Sequence, residues 1–372
     1  MDRVGVGIIG ASLTGGWAMQ AHVPALLRLP RFQLQAVCTT RQETARSTAR
    51  EVGAPHAYSD ARALANDPTV DLVVVACKVP GHADAVMAAV EAGKMVYCEW
   101  PLGVDAAQAR HLRDAATNHH VRNIVGLQAR LSPVVRQLRD LIRAGHIGRV
   151  LSVRLFSAGL GLGGPVLPAN REWAADRANG LSALTVRTAH TIDAMCFAVA
   201  PIAELSAELI VATPNPVIAG TTRTVVKTAP DQVIVSGKLL GGSSFSGQFL
   251  LGVRPLLTPL LTVFGSAGTL SVVPDAADGQ VQMNTLELWG AQADDAPQLI
   301  PLAASDAAPE EIVPAGPARG VARLYRAIIE NHGPAGDLVP DFAEAVALHG
   351  VLEAIERAAT AGEKQLLHQA RR

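Results

Sequence analysis

The stretch VGVGIIGASLTGGWA (4–18) decides the fold. An apolar run that could be a buried strand flows into a glycine-rich turn, and a helical pattern follows. Glycines let a chain turn tightly there, so that backbone N–H groups and a helix N-terminus can face a pyrophosphate. The common spacing is G-x-G-x-x-G. Gly10 and Gly15 fit it, Ser12 stands at the middle glycine, and Gly16 is a second candidate for the third glycine in a loop one residue longer. A glycine trio alone is weak evidence; at the head of a strand–turn–helix series it points to a dinucleotide.

Working outward, short apolar runs alternate with helical patterns up to residue 130. After the opening strand come a helix near 16–29, FQLQAVC (32–38), a helix near 42–52 and DLVVVAC (71–77). Next are a helix at 82–93, MVYCEW (95–100), a helix near 105–118 and NIVGLQA (123–129). Nearly continuous apolar strands separated by helices predict a doubly wound parallel sheet with both faces covered. Ser132 and Pro133 then open a helix, as N-cap and first-turn residue, and Gly145 closes it. Beyond it the pattern changes. Runs at 150–159, 204–212, 232–240, 244–253, 260–266, 268–273 and 285–290 read as successive strands, interrupted by one helix near 182–198. That succession predicts a second, α+β domain with a large, mostly antiparallel sheet. A Pro/Ala/Asp-rich loop near 291–316 and helices near 319–332 and 340–361 complete the chain. The expected domains are 1–130 for the nucleotide and 131–372 for substrate and oligomer contacts, with the last helices able to pack back on the first.

Composition narrows the function. The net charge of −1 offers no basic face for a nucleic acid, and no window approaches the apolar length of a membrane helix. Four cysteines (Cys38, Cys77, Cys98, Cys196) form no C-x-x-C pair and read as buried thiols in a reducing cytoplasm. No metal site is expected. At the end of the second strand stand Cys38, Thr39, Thr40 and Arg41, with no acid before Glu43. An acid there would hold a ribose 2′-hydroxyl; hydroxyls and a guanidinium suit a 2′-phosphate, so NADP is expected ahead of NAD.

Motifs then carry a resemblance. CEWPL (98–102) is similar to the Glu-Lys-Pro signature of the glucose–fructose oxidoreductase/inositol dehydrogenase/MocA family. FGSAGTL (264–270), Trp173 ahead of Gly180, AHTID (189–193) and VPDFAEAVALHGVLEAI (339–355) support it. GWAMQAHVPAL (16–26), LQARLSP (127–133), HTIDAM (190–195) and KTAPDQVIVSGKLLGG (227–242) resemble that family's fungal galactose-pathway regulators in particular. The resemblance implies an NAD(P)-dependent oxidoreductase of a carbinol or carbonyl carbon, usually of a sugar or cyclitol, assembled as a dimer or tetramer through the second domain's sheet.

The resemblance also implies a catalytic lysine and an Asp/His pair four residues apart. Here Trp100 stands at the lysine and Val186 at the aspartate; His190 remains. Indole donates only and valine offers nothing, so the usual proton relay cannot run. Two readings follow. In one, His190 acts as acid or base and Lys78, just after the strand DLVVVAC (71–77), supplies positive charge. In the other, the chain is a non-catalytic NAD(P)-binding regulator. The apolar Trp100 and Val186 add a third: a reductase or lyase-like reaction on a substrate that brings its own proton, such as an imine, in a drier cleft.

For the coenzyme, the residues expected in contact are Gly10, Ser12, Leu13, Thr14, Gly15, Gly16, Trp17, Thr39, Thr40, Arg41, Cys77, Lys78, His82, Glu99, Trp100, Pro101 and Gln128. For the substrate they are Trp100, Arg130, Trp173, Asp176, Arg187 and His190. Tyr97 and Asp193 are weaker candidates, for packing and for orientation.

Overall fold

A computed structural model describes residues 3–292, 295–302, 313–330 and 339–367. The chain divides into two units. One takes residues 1–128 and 309–349, the other 129–308 and 350–372. The division runs through the last helix, Phe342–Ala361, whose first residues belong to one unit and the rest to the other.

In the first unit six strands, β1 (Val4–Ile9), β2 (Phe32–Cys38), β3 (His56–Tyr58), β4 (Leu72–Val75), β5 (Met95–Cys98) and β6 (Asn123–Val125), form one sheet. Their order is β3-β2-β1-β4-β5-β6 and every pairing is parallel. The order reverses between β1 and β4, so the carboxyl ends of these two strands flank the crevice where ligands of such sheets bind. β4 is buried at all four positions, and β1 at all but its first. Helices therefore cover both faces, which is why these strands read as apolar runs without alternation.

The short β3 and the helix Ala61–Ala65 were not expected from the sequence. Three half-buried residues at a sheet edge carry no periodicity. The first helix also differs. It starts at Ala18, runs as a π-helix to His22, and becomes α-helical over Val23–Leu26. Pro24, which has no N–H to return to a helical carbonyl, sits where one form passes to the other.

The second unit is built on a nine-stranded mixed sheet. Its strands are β7 (Val150–Gly159), β9 (Ile202–Ile210), β11 (Gln232–Leu239), β12 (Ser244–Leu251), β13 (Leu261–Gly265), β14 (Gly268–Pro274), β15 (Leu286–Gln292), β16 (Gln298–Ile300) and β17 (Gln365–Leu366). The order is β16-β15-β14-β13-β7-β12-β11-β9-β17, with β7 and β12 parallel and the other pairs antiparallel. Two residue pairs, β8 (Val166–Leu167) and β10 (Val217–Ile218), make a separate ribbon. β12 alternates exposed and buried residues, so one face of the sheet packs inward and the other stays open.

The helix Pro133–Arg143 forms as expected, but the Ser132 hydroxyl makes no capping bond; Ser132 instead offers its carbonyl to the Arg136 amide, 3.0 Å away. The helix Leu184–Ala198 opens with a π-helical segment to Thr188. Of the expected 291–316 loop, residues 293–294 and 303–312 lie outside the described residues, as do 331–332 of the helix found at Pro317–Glu330.

Candidate functional site

The phosphate loop is open. Gly10 has φ +99°, and a Cβ there would fall 2.5 Å from the Cys77 nitrogen, because the ends of β1 and β4 nearly touch. Only glycine fits. The Ser12 carbonyl accepts from the Gly15 amide at 3.1 Å, and the Ser12 and Thr14 hydroxyls lie 2.9 Å apart. Serine at the middle-glycine position thus helps to close the turn. Gly15 and Gly16 both adopt left-handed φ, +105° and +129°, and a Cβ on either would meet nothing within 4 Å. The Leu13 and Gly16 amides bond to nothing among the described residues, and the buried Trp17 Nε1 has no acceptor among them. Amides without protein partners at a strand–helix turn fit a diphosphate.

At the end of β2 the Thr39 and Thr44 hydroxyls lie 2.6 Å apart, 2.9 and 2.8 Å from the Arg41 carbonyl. They tie down the turn into the helix Gln42–Val52. Thr40 and Arg41 are exposed. At the end of β4, Lys78 is exposed and starts the 3-10 turn Val79–Gly81. His82 is buried, with Nδ1 2.9 Å from the Pro101 carbonyl and Nε2 3.1 Å from that of Cys77. Both its nitrogens thus face the backbone of the two strand-end loops, and burial holds its pKa below the usual histidine value.

β5 delivers the Glu-Trp-Pro segment. Glu99 is buried and its Oε1 lies 2.9 Å from His22 Nε2; His22 Nδ1 is 2.8 Å from the Tyr325 hydroxyl. Tyr97 packs edge-on to both His22 and Tyr325. Trp100, joined to Pro101 by a cis peptide, is buried and lays its indole against the His349 imidazole. Gln128, buried after β6, has its Oε1 unpartnered among the described residues. His22, Tyr325 and His349 carry no motif of their own and were not singled out in the sequence.

In the second unit, His190 is buried in the first turn of the α-helix Ala189–Ala198. Arg130 grips Asp193 with Nε (3.1 and 3.0 Å) and Nη2 (2.6 Å). Arg187 donates from Nη1 to the Ser157 hydroxyl (2.9 Å) and the carbonyls of Ala158 (3.1 Å) and Gly279 (3.2 Å), and from Nη2 to Asp278. Its donors are largely spent on the fold. Asp176 caps the Arg177–Asn179 turn through the Ala178 amide at 3.0 Å, and Trp173 is half-buried on the turn before it. A buried pair missed in the sequence, Lys227–Asp231 at 2.8 Å, sits within the KTAPDQ segment. Burial pushes the thiols of Cys38 and Cys196 up to about 12 and that of Cys77 to about 11, so none is poised as a nucleophile.

A parallel sheet with this order, headed by a glycine-rich strand–helix turn, defines an NAD-binding Rossmann domain; the second unit is based on a large mixed sheet. The chain belongs to the glucose–fructose oxidoreductase/inositol dehydrogenase/MocA family: residues 4–127 match its NAD-binding Rossmann domain, and residues 133–272 match the Gal80p C-terminal domain. It is 32% identical to the dehydrogenase aclE of Aspergillus oryzae over 284 residues, 73% of this chain and 76% of that one. It is 26% identical to the galactose/lactose metabolism regulatory protein GAL80 of Saccharomyces cerevisiae over 357 residues, 88% and 82% of the two chains. Among solved structures, a super-repressor mutant of Gal80p from Saccharomyces cerevisiae superposes with TM-score 0.86 at 24% identity, covering 98% of each chain. Levoglucosan dehydrogenase in complex with NADH and levoglucosan superposes with TM-score 0.82 at 21% identity, covering 99% of this chain and 100% of the other.

Proposed function

We propose that this chain is an NAD(P)-dependent oxidoreductase that interconverts a small, sugar-like carbinol with its carbonyl, or reduces an imine, and that His190 handles the proton. The observation that carries the reading is the open cradle at Gly10–Gly16, with unspent amides at Leu13 and Gly16. A bound nicotinamide supplies hydride chemistry. The protein must then supply position and a proton. In the helix Ala189–Ala198 the titratable side chains are His190, Asp193 and Cys196. Arg130 occupies Asp193, and the Cys196 thiol is pushed up to about 12, which leaves the imidazole as the acid or base. Lys78 offers positive charge to a developing alkoxide.

Finer assignments follow from the same residues. Arg41 and Thr40, exposed at the end of β2 with no acid in that segment, suit the 2′-phosphate of NADP. The open face of the second unit's sheet carries exposed Ile234, Phe264 and Leu299, which a second copy of the chain would cover. The free cysteines suit a reducing cytoplasm, and no described helix is long and apolar enough to cross a membrane.

A second reading is favoured by Trp100 and Val186, which cannot move protons, and by the match of residues 133–272 to the Gal80p C-terminal domain. In it, the chain binds coenzyme and regulates without turnover. Nicotinamide absorbance followed over a panel of sugars, ketones and imines separates the two. Turnover that disappears in His190→Ala, with coenzyme binding kept, supports the oxidoreductase. Tight coenzyme binding with no turnover across the panel supports the regulator.

A further inference from the structure

Glu99 is the acidic side chain that β5 delivers to the carboxyl edge of the sheet. β1, β2 and β3 form the half that takes the adenosine in a doubly wound fold, and β4, β5 and β6 the half that takes the nicotinamide nucleoside. Its carboxylate is held firmly. A Cβ added to Gly126, at the end of the neighbouring β6, would fall 2.4 Å from Glu99 Oε2, so glycine there makes room for the acid. On the other side His22 Nε2 lies 2.9 Å from Oε1, while His22 Nδ1 lies 2.8 Å from the Tyr325 hydroxyl. With the Tyr325 O–H donating to Nδ1, the Nε2 proton points at the carboxylate. That arrangement fixes the carboxylate in place between β6 and the first helix. The next residue, Trp100, is neutral, where the family signature has a cationic lysine.

We propose that Glu99 is a specificity-determining residue for the redox form of the coenzyme. Its fixed negative charge favours the cationic, oxidised nicotinamide over the neutral, reduced one. The proposal rests on the oxidoreductase reading and adds its direction. A site that prefers the oxidised form makes the reduced form the better hydride donor. The favoured direction is therefore reduction: the carbon of a carbonyl or imine gains the hydride, its oxygen or nitrogen carries a proton, and the nicotinamide is left oxidised. A carboxylate in a poorly solvated site acts over several ångströms, because little water screens it. Orientation by His22 and Tyr325 spares any reorganisation cost when the coenzyme charge changes.

Dissociation constants for NAD+ and NADH (or their 2′-phosphorylated forms) on the full chain test this by calorimetry, without turnover. Glu99→Gln keeps the shape and removes the charge. It is expected to raise the ratio Kd(NAD+)/Kd(NADH) about ten-fold, equivalent to about 1.4 kcal/mol. Trp100→Lys leaves Glu99 in place and sets a cation beside it; the ratio is expected to rise in that variant too, so the test does not depend on either protein alone. A ratio within about two-fold of the wild-type value in the variants, with both coenzymes still bound, overturns the proposal and leaves the oxidoreductase reading intact. A wild-type chain that binds neither form overturns both.

Discussion

The indole of Trp100 lies on the imidazole of His349, with ring centroids 4.7 Å apart at an interplanar angle of 44°. Trp100 is thus packed against the final helix. Burial lowers the His349 pKa from 6.5 to about 4, so this ring enters the folded state neutral. The unfolded chain binds a proton at His349 once the pH falls below about 6.5, whereas the folded chain does not until about 4. Stability from this group is therefore complete above the unfolded value and is lost as the pH falls between the two, by about 3 kcal/mol at most. Urea unfolding at pH 7 and pH 5 should show a larger loss in the wild type than in His349→Phe. Equal losses would remove His349 from the pH dependence.

The Arg130–Asp193 pair is nearly dry, with side chains 11% and 2% exposed. Asp193→Asn removes the carboxylate that Arg130 grips and is expected to cost about 3 kcal/mol in chemical unfolding. Replacing both residues with leucine and methionine should recover most of that loss, since no charge is then left uncompensated. Full stability in the single variant would show that Asp193 does not balance Arg130.

Glycines 10 and 15 make separable contributions. A Cβ on Gly10 collides with the backbone at Cys77, so Gly10→Ala is expected to destabilise the fold by about 3 kcal/mol or more. Around Gly15 there is space, and only its φ of +105° is strained by a side chain; Gly15→Ala should cost about 1 kcal/mol. The methyl group stands in the cradle, however, so coenzyme affinity should fall at least about ten-fold in a protein that still melts cooperatively. Differential scanning calorimetry and coenzyme titration distinguish the two effects.

Arg41→Ala should weaken NADPH binding about ten-fold or more while changing NADH binding little, because only the former has a 2′-phosphate to pair with the guanidinium. Equal effects on both would assign Arg41 to the surface of the helix Gln42–Val52 alone.

Much of the fold is written locally. β2, β7 and the helix Gln42–Val52 begin and end where the apolar runs and helical spacing place them. Such elements declare themselves because burial on two faces, or on one stripe, imposes a pattern over seven or more residues. The segments that stayed hidden are short or depend on distant partners. β17 pairs with β9 across some 160 residues of chain, and β8 with β10 through two residues each. The glycine-rich turn after β1 was visible for the same reason as the strands: its glycines answer to local φ and close approach. The Glu99–His22–Tyr325 chain was not visible. Its residues are separated by 77 and 303 positions, and only the packing of β5, the first helix and Pro317–Glu330 brings them together. The roles open to Arg187 and Asp193 likewise depend on partners that no spacing reveals.

Calorimetric titration of the purified chain with NADPH and NADH bears most directly on the cradle at Gly10–Gly16. Saturable binding of at least one of them at one site per chain, abolished or strongly weakened by Gly15→Ala, is the expected result. Absence of measurable heat for both coenzymes at two temperatures, in a protein shown to be folded, would contradict it.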